Sequence, residues 1–160
     1  MKRFFLIFIT LAVILALSGC SGENNASDDP SKVKLSAFAD EDGFSLTLQE
    51  LEVKNGYIRV KAVFALDADM EGSYFPDDAF TIKSYQGNTE LTDISDSTGS
   101  IQSRTKAINN TEMIGITYDF QLASNKTSIT ILIIKADANN TELASEKIKV
   151  SKDILVQSSK

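Results

Sequence analysis

Residues 57–66 read YIRVKAVFAL, and the alternation within them decides the fold. Ile58, Val60, Ala62, Phe64 and Leu66 fall on one side of an extended chain, with Tyr57, Arg59 and Lys61 on the other. Successive side chains of a strand point to opposite faces, so this pattern describes a strand with one face in a core and one in water. Residues 114–122 repeat it, with Ile114, Ile116, Tyr118, Phe120 and Leu122 inward and Thr117, Asp119 and Gln121 outward. Upstream, Phe44, Leu46 and Leu48 share a phase that slips to Leu51 and Val53, which predicts a β-bulge or a change of sheet near Gln49-Glu50. The run SITILII at 128–134 is apolar at nearly every position and predicts a central strand covered on both faces. Shorter strands are expected at 33–38, 80–85 and 144–150.

The connections agree with this reading. Asn55-Gly56 lies between two alternating runs, and both residue types tolerate positive φ, so a tight hairpin is expected there. Asn139-Asn140 offers the same chemistry before the last strand. About seven short strands without a convincing amphipathic helix predict an all-β fold, an immunoglobulin-like antiparallel β-sandwich over residues 33–157, with a small β-barrel as the alternative.

Composition removes several function classes. The chain has 160 residues, 16 Lys+Arg against 22 Asp+Glu, no His and one Cys. That is one domain's worth of chain. Without His, neither a Ser-His-Asp triad nor a Cys/His zinc site can be assembled, and one Cys cannot form an internal disulfide. A net charge of -6 argues against nucleic acid as a partner. No cofactor-binding motif is present.

The first twenty residues read as an address. Lys2 and Arg3 precede a 14-residue apolar run, FFLIFITLAVILAL at 4–17, which is shorter than the roughly 17–25 residues of a spanning helix and fits a secretory signal peptide. Leu17-Ser18-Gly19-Cys20 follows, an aliphatic residue and two small ones before a thiol. This segment resembles the lipobox of bacterial lipoproteins, in which the Cys thiol receives a diacylglycerol and the signal (here 1–19) is removed. The resemblance implies an acylated Cys20, with diacylglycerol and palmitate-type chains anchoring the protein outside the cytoplasm. Two chains make such anchoring stable, whereas one gives only marginal binding. The location implied is the cell membrane, at the cell surface behind a Gram-positive wall; in a Gram-negative envelope, Ser21 rather than Asp after the Cys fits the outer membrane. Cleavage removes two of the 16 basic residues and leaves 14 against 22 acidic, a charge of -8. Residues 21–32 (SGENNASDDPSK) are polar and read with Cys20 as a flexible linker, spanning roughly 17–21 Å r.m.s. and about 40 Å when taut.

A second resemblance covers the body. The run GYIRVKAVFALDADMEGSYFPDDAFTIKSYQGNTEL, followed later by INNTEMIGITYDFQL, is similar to the immunoglobulin-like domains of small Gram-positive lipoproteins of unknown function. It implies a non-enzymatic extracytoplasmic domain, and no catalytic residue comes with it.

Asp67, Asp69, Glu71 and Asp78, with Gly72, occupy positions 1, 3, 5, 12 and 6 of a calcium loop. Against calcium stand a flanking strand rather than a helix, Tyr74 at position 8 and the short Asp at position 12, so a solvated acidic loop is the preferred reading. Tyr74 and Phe75 form a candidate binding pair on the same loop, although capping of the core end suits such aromatics better. The pairs Asp77-Asp78 and Asp40-Glu41-Asp42 are neighbours in loops, not carboxylates facing each other across a cleft, so a hydrolase is not expected. Residues 92–106 (TDISDSTGSIQSRTK) are expected to form a mobile polar loop, the second contact candidate. The function these readings predict is a non-catalytic, lipid-anchored binding or accessory lipoprotein that contacts an envelope protein or wall component. The alternative is a structural or inhibitory lipoprotein acting through a sheet face or edge.

Overall fold

The computed structural model describes residues 29–67, 70–109 and 112–157. Cys20, the leader and most of the linker therefore lie outside the described residues, as does Asp69. The strands are β1 (Lys32–Lys34), β2 (Phe38–Glu41), β3 (Phe44–Lys54), β4 (Tyr57–Leu66), β5 (Ser73–Tyr74), β6 (Phe80–Gln86), β7 (Thr89–Glu90), β8 (Ile108–Asn109), β9 (Met113–Gln121), β10 (Ser128–Lys135) and β11 (Glu142–Lys149). Three short helices accompany them: α1 (Pro76–Ala79), α2 (Ser95–Thr98), which runs into a 3₁₀ turn at Ser100–Ser103, and α3 (Lys152–Gln157).

Two open antiparallel sheets form a sandwich, as the alternation predicts, and no barrel closes. The first has the order β1-β3-β4-β9, with β2 following β1 along the same edge of β3; the second has the order β11-β10-β6-β7. The β3–β4 hairpin stays within the first sheet. The path then crosses to β6, returns to β9 and crosses again to β10. Leu46, Leu48, Ile58, Val60 and Phe64 face Phe80, Ile82, Ile129, Ile131 and Ile133 in one core. Phe64 and Phe80 meet edge to face across the layers at 6.2 Å. Each such side chain contributes roughly 1.5–3 kcal/mol on burial.

Local details follow the residues closely. Leu48 pairs with Ala62 but Glu50 pairs with Lys61, so Gln49 is the extra residue of the predicted bulge, and it lets Leu48 and Leu51 both point inward. The predicted strand at 33–38 is broken at Leu35–Ala37, opposite this bulge. Glu146 of β11 fills the break, its carboxylate accepting the Ser36 and Ala37 amides at 2.8 Å each and tying the second sheet to the edge of the first. At Asn55-Gly56 only Gly56 takes positive φ (80°). The turn with both residues left-handed is Asp42-Gly43, at 53° and 83°, which joins β2 to β3. Strand β10 is central, yet Leu132 on its outer face is only half-buried, so SITILII is covered fully on one face alone.

The sandwich has two unlike ends. Ser31 accepts the Val53 amide, so the described chain enters beside the Asn55-Gly56 turn. The 122–127 loop lies at the same end, held by Gln86, whose amide donates to the Ser124 and Lys126 carbonyls and accepts from the Ala123 and Ser124 amides. At the far end are the Asp42-Gly43 turn, the segment from Asp67 to Ala79, Glu112 and the 136–141 connection.

Candidate functional site

The acidic loop of the sequence reading sits at the far end, and its described residues serve the loop itself. The Asp67 amide donates to Gly43 at 2.9 Å, and the Asp67 carbonyl accepts from Met70. The Asp78 carboxylate accepts the Phe75 amide at 3.4 Å, closing the first turn of α1. The Tyr74 hydroxyl donates to the Glu71 carbonyl at 2.8 Å. Among the described residues no three acids gather as a metal-ligand set. The two aromatics separate: the Tyr74 ring meets Phe44 edge-on at 5.1 Å and closes the core, whereas Phe75 is 42% exposed.

The outer face of the first sheet divides into two halves. In the far half, one row runs Phe38–Thr47–Val63–Gly115 across β2, β3, β4 and β9, and the next runs Asp40–Ser45–Ala65–Met113. The floor is made of small side chains, with Phe38 (53% exposed) and Met113 (70% exposed) at its margins. Phe38, Phe75 and Met113 are the exposed large apolar residues among those described. Asp40, Asp67 and Glu112 lie towards the far end of this half and form no ion pair among the described residues, the Glu112 carboxylate accepting the Asn109 amide; Lys61, paired with Glu50, bounds the half on the other side.

The β9 side of the near half is covered by residues 92–106, which correct the expectation of a mobile loop by folding as α2 and its 3₁₀ turn against β9. That strand is the sheet edge, and serine side chains satisfy it: Ser95 Oγ accepts the Asp119 amide at 3.0 Å and Ser103 Oγ the Thr117 amide at 2.9 Å. Beneath this cover the Asp119 carboxylate is wholly buried and takes a bidentate pair of hydrogen bonds from Arg59 at 2.9 and 2.8 Å. Burial alone raises its pKa, but hydrogen bonds from Arg59, Thr98 and Ser100 outweigh that and hold it below the ordinary 3.8. A shallow polar depression remains between Arg59, Thr98, Gly99, Ser100, Ser103 and Thr117.

Arg104, from the same segment, reaches under the end of the sandwich. Its guanidinium lies 4.3 Å above the Tyr118 ring, with Asp93 at 3.2 Å and Asp77 at 3.7 Å. Tyr118 donates to Asp77 at 3.4 Å, and burial pushes its phenol well above the ordinary range. Asp77 is also raised, because burial outweighs the pull of Arg104. The group is a clamp between the 92–106 segment, α1 and the core.

Sequence reasoning missed Phe38, Met113 and Gly115 as surface features, although Met113 and Gly115 stand in the outward phase of the 114–122 alternation. It placed Asp119 outward correctly and exposed it wrongly, since nothing in β9 announces the cover supplied by α2.

No protein-family model matches the chain, and none of the curated proteins does. Among solved structures, the fold is similar to that of a Bacillus subtilis chain described as a "putative lipoprotein" (ycdA), with a TM-score of 0.52 and 13% identity. The likeness covers 76% of this chain and 41% of that one, so this chain spans well under half of its neighbour's length. At this identity the likeness establishes a shared fold.

Proposed function

We propose that the chain is a non-catalytic, lipid-anchored module of the bacterial cell envelope, held outside the cytoplasm through Cys20 and acting by binding an envelope protein. The apolar run at 4–17 and the resemblance of Leu17-Ser18-Gly19-Cys20 to a lipobox support the anchor, and the fold shared with the Bacillus subtilis chain is in keeping with it. One observation carries the binding role: Phe38, Phe75 and Met113 all lie toward the end opposite the one at which the described chain enters. An anchored sandwich of this build presents its apolar surface away from the membrane. Contact through the outer face of the first sheet is favoured because the exposed Phe38 and Met113 lie there, while Ser95 and Ser103 cover part of the β9 edge.

Fractionation and intact-mass analysis of wild-type and Cys20→Ala chains test the anchor. Wild type is expected in the membrane fraction with a diacylglycerol-modified Cys20, and the variant as unmodified precursor or released protein. An unmodified thiol on wild-type protein in the medium would overturn the reading.

A further inference from the structure

Gly115 sits in the middle of β9, where a glycine weakens the strand. A glycine in a strand usually marks a bulge, a bend or a close approach by another molecule. The first two are absent: β4–β9 pairing runs without a register shift from Tyr57–Gln121 to Ala65–Met113, and the Gly115 φ lies outside the left-handed region. Nor does crowding within the chain demand glycine, since an added Cβ would meet nothing within 4 Å, and the residue is exposed. What remains is approach from outside. Gly115 ends a row of small residues with Phe38 at its other end and Met113 beside it, a shallow apolar strip bounded towards the near half by the 3₁₀ turn, whose Ser103 holds the Thr117 amide.

We infer that this strip, formed by Phe38, Thr47, Val63, Ala65, Met113 and Gly115, docks a segment of another protein in which an apolar side chain is flanked by lysine or arginine. The charge argument selects the occupant. Asp40, Asp67 and Glu112 lie towards the far end of the strip without cations of their own among the described residues, and the mature chain carries -8. A second copy brings the same acids to the contact, and anionic headgroups are repelled by them, whereas a basic segment pairs with these acids while its apolar residue covers the floor. The inference rests on the binding role proposed above and names the surface and the partner chemistry.

The test places p-benzoylphenylalanine at Thr47 of the full-length chain in cells that produce it, with Ser145 on the outer face of the second sheet as control. Irradiation is expected to give one adduct with a different protein, and mass spectrometry of the linked peptide to find an apolar residue beside lysine or arginine. Gly115→Trp blocks the strip, and the exposed Met113→Glu adds repulsion without touching the core; each should lower adduct yield roughly tenfold or more while thermal unfolding stays within a few degrees of wild type. Should Gly115→Trp unfold the chain, Met113→Glu decides alone. No adduct, an adduct with a second copy, an equal adduct from Ser145, a linked peptide lacking basic residues, or adducts that survive both substitutions would each overturn the inference. Membrane fractionation of the same cells scores the anchor separately: an anchored chain with a bare Thr47 overturns the docking strip alone.

Discussion

Asp119 shows how far one residue's environment can depart from its strand phase. It points outward from β9, yet its carboxylate has no contact with water and is answered by Arg59, whose own side chain is 27% exposed. The two partners are therefore unequal. Arg59→Ala leaves a buried, partly answered carboxylate and is expected to cost about 3 kcal/mol, whereas Asp119→Ala leaves a cation that reaches water and costs about half as much. Because the folded pKa of Asp119 lies below 3.8, its contribution is fully present above that value and is lost as pH falls through the folded pKa. The deficit of Arg59→Ala in denaturant unfolding should therefore be largest near neutral pH and shrink towards about pH 2. A deficit independent of pH would count against the ion pair. Asp77 has the opposite sign. Its pKa is raised by burial, so its contribution is present below 3.8 and is lost as pH rises through the folded value. Asp77→Asn keeps a partner for Tyr118 and should leave stability at neutral pH unchanged or higher by at most about 0.5 kcal/mol, given that nearly half of the side chain is in water. A clear loss at neutral pH would show that the attraction to Arg104 outweighs burial.

At the scale of elements, the edge of β9 is the informative case. An edge strand presents unpaired amides, and here Ser95 and Ser103, from the segment that precedes the strand in sequence, accept two of them. The Ser95→Ala and Ser103→Ala substitutions should each cost about 1–2 kcal/mol, with Ser95 the larger because its site is fully covered. Hydrogen exchange checks this by residue: the Asp119 amide should accelerate in Ser95→Ala and the Thr117 amide in Ser103→Ala, while Ile131 in the other sheet stays protected. Uniform acceleration would mean that the serines merely add global stability. This edge also marks where the sequence stops being legible. Alternation reports apolar burial, so Ile58–Val60–Ala62–Phe64 and the slip at Gln49 could be read directly. The TDISDSTGSIQSRTK segment closes its edge with hydroxyls and a guanidinium, groups that look the same in a solvated loop. Turn residues gave partial information: Asn55-Gly56 does join a hairpin, but the fully left-handed turn fell to Asp42-Gly43, whose aspartate reads first as surface charge in Asp40-Glu41-Asp42. The apolar strip was hidden for a related reason, since Thr47, Val63 and Ala65 form a surface only once register sets them side by side.

For the whole molecule, the anchor proposed at Cys20 raises the question of which end would face the membrane. The described chain begins beside Asn55-Gly56, and β3 runs from there for 11 residues, roughly 35 Å, to the Asp42-Gly43 end. That exceeds the roughly 17–21 Å r.m.s. span of the linker, so a lipid on Cys20 would hold the entry end nearer the surface on average and reach the far end only with the linker almost taut. Charge adds to geometry. Asp40, Asp67, Glu71, Asp78 and Glu112 at or near the far end lack cationic partners among the described residues, while exposed Lys126, Lys149 and Lys152 lie towards the entry end. An anionic bilayer repels the first group and attracts the second within a Debye length of about 8–10 Å. With Cys20 acylated, a fluorophore on Asn55→Cys or Glu71→Cys reports on one end at a time. Energy transfer to headgroup acceptors should be stronger from position 55 than from position 71. The difference should widen in anionic vesicles at low salt and fall back to the zwitterionic value near 1 M salt, where screening leaves only the tether to orient the body. Equal transfer from both positions in every vesicle would mean that the sandwich tumbles freely, and the strip would then meet membrane and periphery alike.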